Sequence, residues 1–171
     1  MDRILNTPRL TLRPFDRTDA KSVQKLAGSW SVASMVARVP YPYENGMAED
    51  WIDSHETLRD QGDEYTYAIT HCGHLIGATG LTRQPSGAFE LGYWIGKPFW
   101  GKGYASEAAK AVHDLGTRAL QATKMTAGYF IDNPASGRVL TKLGFIHTHE
   151  EPYPCAARGQ KVMAKRMVWT A

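Results

Sequence analysis

Two cysteines, Cys72 and Cys155, supply all the thiol chemistry in this 171-residue chain. They stand far apart and neither belongs to a Cys-x-x-Cys pair, so structural zinc and redox dithiols have no support. Six histidines form no His-Glu-x-x-His helix, and no metal site is expected. Charge of one sign is also lacking. Lys and Arg number 20 against 17 Asp and Glu, a net +3, and there is no dense basic stripe of the kind a nucleic-acid binder needs. The most basic stretch, Lys161 to Arg166, is interrupted by Val162, Met163 and Ala164 and reads as a strand with one wet face. No run approaches the ~20 apolar residues of a membrane helix. Residues 1–12 carry neither an apolar segment nor a small-residue cleavage site. No repeat, low-complexity tract or linker breaks the chain. These absences lead to the expectation of one cytoplasmic domain over residues 1–171, with neither nucleic acid nor membrane as partner.

What is present is a change of period. Residues 9–15 alternate polar and apolar, which predicts a strand. Asp16 to Asp19 supply helix-start chemistry, and Val23, Leu26 and Ala27 share a helical face. A short helix is expected over 31–38, a loop over the prolines and tyrosines of 39–45, and a helix through Trp51, Ile52, His55 and Leu58 that Gly62 closes. Strands follow at 65–70, 75–81 and 89–95, separated by turns at Cys72-Gly73 and Pro85-Ser86-Gly87. After a glycine-rich loop at 96–103 come a helix over 104–119, a strand over 124–131, a helix over 133–143 closed by Gly144, and strands near 145–149 and 162–169. An antiparallel meander, then strand-loop-helix-strand-helix, then a hairpin describes an α+β domain: a mixed, mostly antiparallel sheet flanked by helices.

The loop is the most informative segment. A strand runs into glycines and a helix starts directly behind them, an arrangement that presents free N–H groups and a partial positive charge to a phosphate. Gly96 to Lys102 has the beginning of a P-loop, but the magnesium-binding Ser or Thr that should follow is Gly103. A dinucleotide fingerprint needs Gly or Ala where Ser106 stands, and an earlier βαβ unit.

Trp100-Gly101-Lys102-Gly103-Tyr104-Ala105 resembles the coenzyme A loop of the GNAT acetyltransferase superfamily, with Trp100 in place of the family's Gln or Arg. Three further segments resemble its ribosomal-protein N-terminal acetyltransferase (RimJ/RimL-like) subgroup in the same order. They are the opening Thr7-Pro8-Arg9-Leu10-Thr11-Leu12-Arg13-Pro14, the central Glu90-Leu91-Gly92-Tyr93-Trp94-Ile95, and the Asn133-Pro134-Ala135-Ser136 helix that ends in Lys142-Leu143-Gly144-Phe145. The resemblance implies the GNAT fold, acetyl-CoA as acyl donor, a primary amine as acceptor, and direct attack of the neutral amine in a ternary complex. It also implies a monomer or homodimer.

The roles implied are these. Glu90 is the candidate base acting through a water, with a solvated strand-edge carboxylate as the competing reading. Backbone N–H groups near Trp94 and Ile95 stabilise the oxyanion, as the family's splayed central strand implies. Ser136 is the candidate acid near the sulfur, or simply a hydroxyl of a helix's first turn. Many relatives carry a tyrosine on this helix, and its slot here falls at Leu140. Trp100, Gly101, Lys102, Gly103, Tyr104, Ala105 and Ser106 cradle the diphosphate. Asn133 caps its helix or meets the pantetheine amide, and Lys102 and Arg138 reach for phosphates. The acceptor pocket is expected from residues 30–51, including Tyr41, Tyr43, Glu44, Glu49 and Asp50. An α-amine of pKa near 8 is about 10% neutral at pH 7, whereas a lysine near 10.4 is roughly 0.04% neutral, a gap on the order of 3 kcal/mol. A single carboxylate base therefore suits a peptide or amino-acid α-amine. Three alternatives stand beside this reading: an acetyltransferase whose acceptor is a small-molecule amine (an amino acid, polyamine or antibiotic), a non-catalytic acyl-CoA-binding module, and a nucleotide-phosphate hydrolase, which the missing magnesium ligand disfavours.

Overall fold

The computed structural model describes residues 3–171. Among these residues, eight strands form one sheet in the order β1-β2-β3-β4-β5-β6-β8-β7. The strands are β1 (Leu5–Asn6), β2 (Thr11–Arg13), β3 (Glu64–His71), β4 (His74–Arg83), β5 (Phe89–Ile95), β6 (Lys124–Phe130), β7 (Ile146–Cys155) and β8 (Gln160–Thr170). All neighbours are antiparallel except β5 and β6. The helices are α1 (Ala20–Ala27), α2 (Trp30–Ala33), α3 (Met47–Gln61), α4 (Tyr104–Arg118) and α5 (Pro134–Lys142). The expected mixed, mostly antiparallel sheet flanked by helices is what forms.

Side chains of a strand alternate between faces, and this period sorts the core in two. Tyr67, Ile69, Ile76, Leu91 and Ile95 meet Ala108, Ala109, Val112 and Leu140 of α4 and α5 on one face. Ala68, Leu75 and Trp94 meet Val23, Ala27, Ala48 and Ile52 of α1 and α3 on the other.

Several expected boundaries move for identifiable reasons. The strand expected at 9–15 shrinks to Thr11–Arg13, because residues 7–10 close a turn (Thr7 N–H to Leu10 O, 2.9 Å) and Pro14 has no N–H for a ladder. The helix expected at 31–38 stops after one turn at Ala33. Its later carbonyls are taken from outside: Arg158 Nε donates to Ser34 O at 2.8 Å, and the Cys155 thiol points at the Val36 carbonyl at 3.5 Å. The closing hairpin is longer than expected. β7 runs to Cys155 through Pro152 and Pro154, which an edge strand tolerates because one side of it has no ladder to break. Gly62, in a left-handed conformation, does end α3.

A split cleft and the groups that line it

β5 and β6 pair only at Phe89↔Met125 and Glu90↔Thr126. β4 stays paired with β5 along all seven of its residues, and β8 with all seven of β6. From Leu91 onward the two central strands therefore diverge, and each keeps only its outer neighbour. The result is a cleft of about 1010 Å³ running through the sheet from the α1–α3 face to the N-termini of α4 and α5.

At its upper end lies the glycine loop. Gly103 (φ +79°) turns the chain into α4, and Gly101, Gly103, Tyr104, Ala105 and Ser106 all line the cleft. The Trp100 indole N–H donates to Ile95 O at 2.6 Å, so this residue ties the loop back to the end of β5. Lys102 and Arg138 are exposed and do not line the cleft. The Lys102 ammonium lies 6.0 Å from the Phe99 ring.

The loop is clasped from the opening segment. Arg9 Nη1 donates to Lys102 O at 2.8 Å and Arg9 Nε to Glu107 Oε2 at 2.7 Å, while the Arg9 guanidinium sits 4.7 Å from the Tyr104 ring. The Thr7 hydroxyl and the Arg9 N–H both donate to Glu107 Oε1, at 2.6 and 2.8 Å. Burial raises the Glu107 pKa, but these donors and the Arg9 charge together outweigh it, and the net shift is downward. The resemblance singled out the opening strand; its clasp on α4 was not visible in the spacing.

At the throat, Glu90 is neither at a sheet edge nor freely solvated. It stands on the central strand β5, and Arg166 Nη2 donates to its Oε1 at 2.8 Å, both side chains being mostly buried. Arg166 belongs to β8, on the far side of β6. It reaches Glu90 by crossing Gly128, where a Cβ would collide with the guanidinium. Its Nε also faces Glu151 at 3.4 Å, and its plane lies 4.8 Å from the Tyr153 ring centroid. Gly92 leaves open space on the Glu90 side of the strand. Sequence reasoning did not find Arg166, since nothing local signals a contact 76 positions away.

Trp94 and Ile95 line the cleft, but their side chains are committed to packing, Trp94 against the α1–α3 core and Ile95 in the α4 core. What they can offer is main chain. Asn133 occupies the N-cap position of α5 but makes no side-chain cap bond, so its amide faces the cleft without that duty. Ser136, in the first turn of α5, is met by a phenol from β5: Tyr93 Oη lies 2.8 Å from Ser136 Oγ and donates to Ser136 O at 3.0 Å. Burial pushes the Tyr93 pKa up to about 12, the hydrogen bond with Ser136 opposing it. The helix slot at Leu140 is core, 1% exposed. The phenol beside Ser136 thus comes from the strand and not from the helix.

The lower end is walled by Val23, Val32, Val39, Tyr43, Met47 and Trp51, with Asp50, Arg38 and Glu64 among the polar groups. Arg38 and Glu64 face each other at 3.5 Å. Tyr43 lines the cleft, whereas Tyr41 meets Trp30 edge-on outside it, 49% exposed. Glu44 and Glu49 are not part of the lining. Cys155 is buried among carbonyls, and His113 packs against Phe145 and Trp169; neither touches the cleft.

Among known proteins, the Acetyltransferase (GNAT) domain family matches residues 9–146. The uncharacterised N-acetyltransferase YoaA of Bacillus subtilis (strain 168) is 31% identical over 150 residues, covering 83% of this chain and 82% of the relative. A solved structure of RimL, the ribosomal L7/L12 alpha-N-protein acetyltransferase in complex with coenzyme A, superposes with a TM-score of 0.85 at 17% identity, over 98% of this chain and 97% of its own. The microcin C7 self-immunity acetyltransferase MccE, solved with acetyl-CoA and AMP, superposes at 0.84 with 14% identity, over 96% and 94%.

Proposed function

The chain belongs to the GNAT acetyltransferase family and is an acetyl-CoA-dependent N-acetyltransferase; from that premise we propose that it acetylates the α-amine of a peptide or protein N-terminus by direct attack within the split of the sheet. The observation that carries the proposal is the divergence of β5 from β6 immediately ahead of the α4 N-terminus. The open side of β5 offers main-chain groups to a pantetheine arm. The N–H groups of 103–106 face a diphosphate, where the helix end favours negative charge. The uncommitted Asn133 amide supports a contact to the arm. Lys102 and Arg138 act from outside the cleft, as exposed cations near the nucleotide end.

In the reaction, Glu90 receives the amine proton through a water held in the space that Gly92 leaves, while Arg166 keeps the carboxylate aimed into the cleft. Negative charge developing on the carbonyl oxygen is met by N–H groups near Trp94 and Ile95. Ser136 donates toward the sulfur as the thiolate departs. The α-amine fits a site with a single carboxylate base, because little free energy is needed to present it neutral. The apolar walls of the lower end accept the residues behind that amine. The working unit is a single domain acting in the cytoplasm.

The test is release of free coenzyme A thiol from acetyl-CoA, measured with N-terminal peptides, lysine side chains blocked at the α-amine, and small amines. Turnover is expected with α-amines, and Glu90→Gln is expected to lower kcat by roughly 10²-fold or more. Turnover on blocked lysines alone overturns the acceptor; no thiol with any amine favours the non-catalytic binder.

A further inference from the structure

Ser136 has a partner that the reaction as described leaves idle. Tyr93 Oη has one proton and two oxygens within reach, Ser136 O at 3.0 Å and Ser136 Oγ at 2.8 Å. The carbonyl can only accept. When the phenol donates to the carbonyl, the Ser136 hydroxyl is left to donate to the phenol oxygen and its own proton is tied to Tyr93. When the phenol donates to Oγ, the Ser136 proton is free to point elsewhere. Both Tyr93 and Ser136 line the cleft.

We propose that Tyr93 is a positioning residue for the acetyl transfer: its phenol switches donation from the Ser136 carbonyl to Ser136 Oγ as the thiolate forms, which turns the serine hydroxyl to donate to the departing sulfur. This rests on the reading of Ser136 as the donor to sulfur and deepens it. The C–S bond breaks with its electron pair going to sulfur. Ser136 and Tyr93 each keep their proton throughout; only the acceptor of each hydrogen bond changes. The thiolate later takes its proton from solvent, which a thiol of pKa near 8.5 does readily. A phenol held near 12 stays protonated across the working range and is always available as a donor. Gly137, next in the helix, lets α5 lie directly against the Tyr129 ring and so sets the distance at which Ser136 meets Tyr93.

The experiment uses the whole chain with Tyr93→Phe, Ser136→Ala and the double variant. Each is assayed with acetyl-CoA and with its selenium analogue, whose leaving group is more acidic and needs less help. Tyr93→Phe is expected to lower kcat about tenfold, the size of one hydrogen bond in the transition state. KM for acetyl-CoA should stay within about twofold, since a single neutral contact away from the loop is removed. The deficit should shrink with the selenium donor, and the double variant should be no slower than Ser136→Ala. Equal deficits with both donors, or losses that multiply in the double variant, would overturn the switch. If Ser136→Ala costs rate while Tyr93→Phe does not, only the switch fails; if Ser136→Ala is silent, the serine reading falls with it.

Discussion

His55 lies on α3 between Phe15 and Trp51, with ring centroids 5.4 and 4.5 Å away, and neither of its ring nitrogens has a hydrogen-bond partner among the described residues. Burial drives its pKa down to about 4, with Glu64 opposing and Arg59 adding to the effect. The native state therefore keeps this ring neutral, and unfolding takes up a proton between pH 6.5 and 4. The contribution to stability is full above pH 6.5 and lost as pH falls toward 4. Thermal unfolding followed across this range should show a falling midpoint, and His55→Leu should flatten the fall. A slope that persists in the variant would assign it to other groups. Single residues also mark where sequence reading stops. Glu90, Ser136 and Asn133 were legible because the resemblance names their positions. Arg166 and Tyr93 were not. Each meets its partner only through folding, Arg166 over Gly128 and Tyr93 beside Gly137, and no local period encodes that.

Elements were legible where one physical signal dominated. The 3.6-residue period and Gly62 marked α3, and the strand-glycine-helix order marked the loop and α4. They were misread where tertiary partners compete with propensity, as just beyond α2, where the Ser34 and Val36 carbonyls go to Arg158 and Cys155, and in β7, whose prolines are harmless only at an edge. Helix α5 shows how tightly an element is seated. A Cβ at Gly137 would stand 2.5 Å from Tyr129 Cζ. Gly137→Ala should destabilise the fold by about 1–3 kcal/mol through overpacking. It should also lower kcat, because displacing α5 carries Ser136 away from Tyr93. Calorimetry and turnover measured together check this, and a variant with native stability and full rate would contradict the seating described.

At the scale of the whole molecule, the sheet gives up most of its central ladder and leaves a gap open between β5 and β6. Whatever fills the gap binds the folded state alone. Coenzyme A at 100 times its Kd should add about 2.7 kcal/mol, which for a chain of this size means a rise in Tm of roughly 5–10 °C. Scanning fluorimetry with coenzyme A against ATP and magnesium separates a thiol carrier from a nucleotide; a matching shift with ATP would revive the hydrolase. The order of elements was legible in the sequence and this gap was implied only by the family, since any strand carries N–H groups and nothing in 89–95 announces that one flank is bare.

Arg9 and Glu107 lie 98 positions apart, yet together they hold the turn that opens α4. During synthesis, the guanidinium leaves the exit tunnel long before its counterpart is made. The turn is therefore fixed late, when the opening segment meets the middle of the polypeptide. A lesion at Arg9 would loosen the glycine turn from a distance, with every residue of that turn intact.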